Sequence, residues 1–135
     1  MADSLYDYGR EGFLAGDIDW DGDNIKLVLI DEADDTINLA SDQDLADRAA
    51  GSRVATSSNL GSKTVAAGVA DAANVTFTAV TGDQAESIDC YQDTGTEATS
   101  RLIFNIDAAT NLPVTPNGGD IVCQWSDGSN KIFRL

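Results

Sequence analysis

Residues 17–24 read DIDWDGDN, with aspartates at 17, 19, 21 and 23 and a glycine after the third. Carboxylates on alternate positions are hard oxygen ligands of the kind calcium takes. In a helix–loop–helix calcium site the ligands fall at the first, third, fifth and seventh loop positions. Glycine sits at the sixth and a bidentate glutamate at the twelfth. Counted from Asp17, the residues Asp19, Asp21, Gly22 and Asp23 all match. The twelfth position is Val28, inside an apolar run where no carboxylate can close the shell, and the next acid, Asp31, demands a longer loop of another shape. The following flank, IKLVLID, reads as strand rather than helix, which excludes an EF-hand. Asp17, Asp19, Asp21 and Asp23 remain candidates for a different calcium or magnesium site. The competing reading, and the expectation, is a turn that needs no cofactor: Asp21-Gly22 feeds a strand, Ile18 and Trp20 point inward, and the aspartates point to solvent.

Asp93-Thr94-Gly95 is the tripeptide that carries the catalytic aspartate of aspartic proteases. Two such carboxylates must share a proton, so a chain of this length would need a second copy. The tripeptide is here flanked by Gln92 and Thr96 instead of apolar and small residues, and a hairpin loop with Gly95 at positive φ is expected. The chain has no histidine. That removes Ser-His-Asp and Cys-His nucleophile systems, histidine general bases and histidine metal ligands. Phosphate-cradling glycine motifs are absent too. Cys90 alternates with Ile88, and Cys123 with Ile121 and Trp125, so both thiols are expected to face the core as small hydrophobes. Whether they lie close enough to bridge is open. Trp20 and Trp125 are candidate sugar-stacking platforms, with core packing the stronger reading. No catalytic residue is assigned.

The elements that would position these groups are mainly β. IKLVLID (25–31) is apolar on both faces, as a doubly buried strand would be. Downstream of Gly51, RVATSS, KTVAAGV, NVTFTAV, SIDCYQD, RLIFNID, DIVCQWS and KIFRL are short runs with period-two alternation, separated by turn residues. The pattern predicts an antiparallel sandwich or barrel-like domain of about seven or eight short strands. One or two short helices belong to the N-terminal third. Residues 1–16 form either a helix over Ser4 to Ala15, capped by Asp3 or Ser4, or an extended docking arm; Gly9 and Gly12 weaken the helix. A second helix is expected near 42–50, where Ser41 and Asp44 imitate a capping box and Gly51 ends the run. VAAGVADAA (65–73) is the one candidate for a flexible excursion. The terminal Leu135 falls in an apolar run, which ties the C-terminus into a sheet.

With 135 residues, of which 42 % are hydrophobic, the chain can bury one core, and residues 1–135 are expected to form a single domain. No run of apolar residues is long enough to span a membrane. The start, MADSLYDYGREGFLAG, has no basic segment followed by an apolar one, so synthesis in the cytoplasm with reduced cysteines is expected. Net charge is −15, and residues 1–47 alone carry −12 of it. A surface this acidic repels phosphate backbones, so no nucleic-acid partner is expected.

Two stretches together, YDYGREGFLAGDIDWDGDNIKLVLID and SRLIFNIDAATNLPVTPNGGDIVCQWSDGSNKIFRL, resemble small virion proteins of tailed bacteriophages, of the kind likened to capsid decoration or cement proteins. The likeness extends through the middle segment and is one of overall pattern. It implies a non-enzymatic, β-rich subunit located on the capsid surface, whose partner is the major capsid protein shell. It also implies a homo-oligomer, with a trimer favoured by shell symmetry. The alternatives are a tail or head–tail joining protein and, from another class, a calcium- or glycan-binding module built on residues 17–23 or on Trp20.

Overall fold

The structure, a computed structural model, describes residues 4–135. It is mainly β and antiparallel, with ten short strands and one α-helix. β1 (Ser4–Leu5), β2 (Ile25–Ile30), β3 (Arg53–Thr56), β7 (Ser87–Gln92) and β8 (Leu102–Ile106) form one sheet in the order β1-β8-β7-β2-β3. β4 (Thr64–Ala66), β5 (Val69–Asp71) and β10 (Phe133–Arg134) form a second, ordered β10-β5-β4. β6 (Val75–Phe77) pairs with β9 (Ile121–Cys123).

β2 is apolar on both faces because both faces are covered. On one side Ile25, Leu27 and Leu29 join Ile88, Cys90 and Phe104 in a core completed by Ala70, Val75 and Phe77 of the two small sheets. On the other, Val28 and Ile30 pack with Tyr6, Tyr91, Leu102 and Leu45, with Ile37 and Leu39 of the 31–52 segment laid over them. This gives a sandwich-like arrangement with a coil layer added outside the larger sheet. An apolar strand interior to such layers loses no polar contact with water and gains burial on each side.

The N-terminal segment is both things the sequence left open. Ser4–Leu5 is an extended edge pairing with Asn105 and Phe104, and α1 (Asp7–Ala15) follows at once. The N-cap is Tyr6, without a side-chain cap, instead of Asp3 or Ser4; Asp3 lies outside the described residues. Gly16 closes the helix in the left-handed region at φ 80°. Gly9 and Gly12 are buried in α1 for a reason that propensity does not contain. A Cβ at Gly9 would stand 2.7 Å from the Ile103 carbonyl oxygen, and one at Gly12 would stand 2.6 Å from Ile18 Cδ1. The missing side chains let the helix lie directly on β8 and on the loop that follows it.

The helix expected near 42–50 is not α-helical. Residues Leu45–Asp47 and Ala50–Ser52 are single 3-10 turns. The capping box sits three residues later than Ser41 predicted: Asp44 and Asp47 each accept from the other's backbone. Arg48 then leaves helical geometry at ψ 118°, because its side chain is drawn into the core. The excursion expected at 65–73 is a hairpin, β4 and β5, turned by Ala67 and Gly68, both at positive φ. This hairpin and β1 account for the strands beyond those expected.

Candidate functional site

The loop between α1 and β2 takes the turn reading. Ile18 and Trp20 are buried, Asp17, Asp19 and Asp21 are exposed, and Asp23 is half-buried. The carboxylates serve their own loop. Asp23 Oδ2 accepts from the Asp19 N–H at 2.8 Å and from Gln92 Nε2 at 2.6 Å, and Asp19 Oδ1 accepts from the Gly22 N–H at 3.3 Å. A Cβ at Gly22 would sit 2.4 Å from Asp19 Oδ2, so any larger residue there displaces the Asp19 carboxylate from this position. Trp20 Nε1 donates to the Asp71 carbonyl at 3.0 Å and pins the loop to β5. The four aspartates do not converge on a point. Among the described residues the one acid group close enough to share an ion is Asp31, Asp34 and Asp83, and Asp31 Oδ1 already accepts from the Ala33 N–H at 2.9 Å.

Asp93-Thr94-Gly95 links β7 to β8 as a turn. Gly95 has φ 86°, its N–H donates to Asp93 Oδ1 at 3.0 Å, and Lys26 Nζ pairs with Asp93 Oδ2 at 2.8 Å. The bond from Lys26 holds the Asp93 carboxyl below its ordinary range. The carboxylate is thereby committed to Lys26 and to its own turn. The thiols of Cys90, buried, and Cys123, half-buried, are both free, and burial raises both, Cys123 to about 11. At neutral pH neither offers a thiolate nucleophile.

A buried polar network not foreseen from the sequence crosses the larger sheet on its coil-covered face. Asp89, on β7, is fully buried; Tyr6 Oη donates to its Oδ1 at 2.6 Å and Asn105 Nδ2 at 2.9 Å. Arg48 Nε stands 3.1 Å from Asp89 Oδ2, and the same guanidinium meets Asp42, Asp35 (3.4 Å) and the Thr36 carbonyl (3.2 Å). Burial pushes Asp89 up to about 6, while the bonds from Tyr6 and Asn105 and the charge of Arg48 pull it back. Burial, reinforced by Asp89, likewise raises the Tyr6 phenol. One cation thus gathers three carboxylates and fastens the 31–52 segment to the sheet. The signal in the sequence was Arg48 itself, the first base after a run of seven acids from Asp31 to Asp47.

Of several concave surfaces among the described residues, two combine a floor of core side chains with the larger volumes. A cleft of about 490 Å³ opens between β7 and β9, floored by Leu29, Ile88 and Phe77 and walled by Val114, Cys123 and Trp125. Its one ionisable lining group is the raised Cys123 thiol. Trp125 donates from Nε1 to the Ala73 carbonyl at 3.0 Å and packs edge-on against Phe104, so it is half core residue and half cleft wall. A second groove, about 270 Å³, runs between the end of α1, the aspartate loop and the small sheet; Phe13, Trp20, Ala70 and Phe133 make its base and Val65 and Leu135 its outer wall. Asp19 and Asp21 stand at its rim. Trp20 meets Phe133 edge-on at 5.2 Å, so its ring is part of the base and is no free stacking platform. Val65 is 56 % exposed, Leu135 61 % and Leu14, next to Phe13, 90 %. Comparison with protein-family models and with curated proteins finds no match. Chemically, these surfaces can bury apolar groups and attract positive charge.

Proposed function

We propose that this chain is a non-enzymatic structural protein of a tailed-bacteriophage virion, a decoration subunit that binds the outer face of the head shell in many copies and stabilises it. The observation that carries the reading is the groove beside β4. Large apolar side chains are left in water next to an open sheet edge, a feature that marks interaction surfaces. The mainly β fold and the likeness of the opening and closing stretches to small virion proteins support the same reading. A subunit that binds only the assembled shell stabilises it by mass action, and many weak contacts repeated over a symmetric surface add up. The major capsid protein is the partner, and a cyclic trimer matches the local symmetry of such shells.

The test is mixing. Purified chain added to expanded shells that lack it saturates a fixed number of sites and raises the temperature at which the shells come apart. If it neither binds nor shifts that temperature, the reading is wrong. Gold-labelled antibody on whole particles landing on the tail would transfer the role to tail or head–tail joining.

A further inference from the structure

β4 is an edge strand whose three residues are all exposed. Its free hydrogen-bonding groups can be assigned. In a hairpin turned by the two residues Ala67 and Gly68, the pair Ala66 and Val69 exchanges hydrogen bonds and the next pair, Val65 and Ala70, does not. The Ala70 carbonyl accordingly turns away, toward β10, and accepts from the N–H of Ile132, the residue before that strand, at 3.1 Å. The N–H and carbonyl of Val65 therefore face the open edge. The Val65 side chain stands in register with Ala70 and Phe133 across the sheet and lines the groove. Leu135, two residues beyond Phe133, falls on the same side, whereas Arg134 falls on the opposite one. Backbone groups and apolar side chains thus stop at one boundary, beside the carboxylates of Asp19 and Asp21.

We propose that this edge and groove receive an extended segment of the shell protein by strand addition to β4: an apolar side chain enters between Val65, Phe133 and Leu135, and a flanking Lys or Arg meets Asp19 and Asp21. Strand addition takes its affinity from the main chain and its selectivity from pockets for alternate side chains. Charge decides the occupant. A second copy of this chain, with net charge −15, would bring the same acidic rim against itself, while a basic segment is drawn in. The inference rests on the decoration reading and specifies which face of the subunit meets the shell.

The experiment measures binding to expanded shells for the wild type, Val65→Lys, Asp19→Asn/Asp21→Lys and, as a control on another exposed apolar residue, Val122→Lys. Val65 and Asp21 are exposed, so these substitutions leave the core intact, which a melting curve verifies. Wild type and Val122→Lys are expected to bind alike. Val65→Lys and the double variant are expected to bind about tenfold more weakly or worse, and wild-type binding weakens with salt. Equal binding by all four overturns the groove as docking face and leaves the decoration role standing. A wild type that binds no shells overturns both.

Discussion

Replacing Arg48 with methionine removes the single cation from a site holding three acids. The guanidinium is fully buried, and so is the Asp89 carboxylate 3.1 Å from Nε. Leaving a buried charge without its partner costs about 3–5 kcal/mol, and Asp35 and Asp42 lose their cation as well. Against a total stability of about 5–15 kcal/mol for a domain, that is roughly a fifth or more. At ~3–5 °C per kcal/mol for a chain of this size, the melting temperature falls by about 10–20 °C. Asp89→Asn should cost less, about 1–3 kcal/mol, because Arg48 keeps Asp35 and Asp42 and the amide oxygen still accepts from Tyr6. Arg48→Met combined with Asp89→Leu should recover part of the Arg48→Met loss, since no lone charge stays buried. Urea unfolding of the three variants and wild type measures all of this. The reasoning is refuted if Arg48→Met costs under about 1 kcal/mol, or if Asp89→Asn costs as much as Arg48→Met.

Gly9→Ala should destabilise by about 1–3 kcal/mol although alanine is the better helix former, because its Cβ meets backbone oxygens of Ile103 at 2.7 Å and Leu102 at 2.8 Å; urea unfolding gives the sign. Alkali should unfold the chain. Burial raises Cys90, Cys123 (to about 11), Tyr91 (to about 12) and Tyr6, so the folded form keeps protons that the unfolded chain releases. The stability these groups contribute is complete below the ordinary values of about 9 for a thiol and about 10 for a phenol, and is lost as pH rises through the folded values. A urea midpoint that stays level from about pH 8 to about pH 11 would contradict this. Millimolar calcium should leave the melting temperature unchanged, since the four loop aspartates do not converge on a point and Asp23 already accepts from the Asp19 N–H and Gln92; a chelator-sensitive rise in calorimetry would show otherwise.

The strands were legible wherever one residue in two had to be apolar. β7 and β8 lie where the alternation put them and β2 where its doubly apolar run did, and the inward Ile18 and Trp20 with outward aspartates follow from the period of two. The turn at Gly95 was legible because only glycine adopts its φ without strain. Less was visible in the coil of residues 31–52, where polar composition says nothing about which side chain will be buried. Asp89 sits at an ordinary position in an alternating strand and reads as solvent-facing; a second layer over that face buries it. The wall of the groove, Val65 and Leu135, comes from segments far apart in the chain, and the small residues of 65–73 gave no sign of a hairpin.

The sequence by itself determined the class of structure, the absence of histidine chemistry, the acidic first third and the inward or outward side of most strand residues, because these depend on residue type and on a period of two. Tertiary structure alone decided which glycines are contact surfaces, which carboxylates share Arg48, and that Val65, Phe133 and Leu135 border one groove beside the aspartate loop. Such features depend on distances between segments remote in the chain, and those are set by how sheets and coil pack, not by local preference.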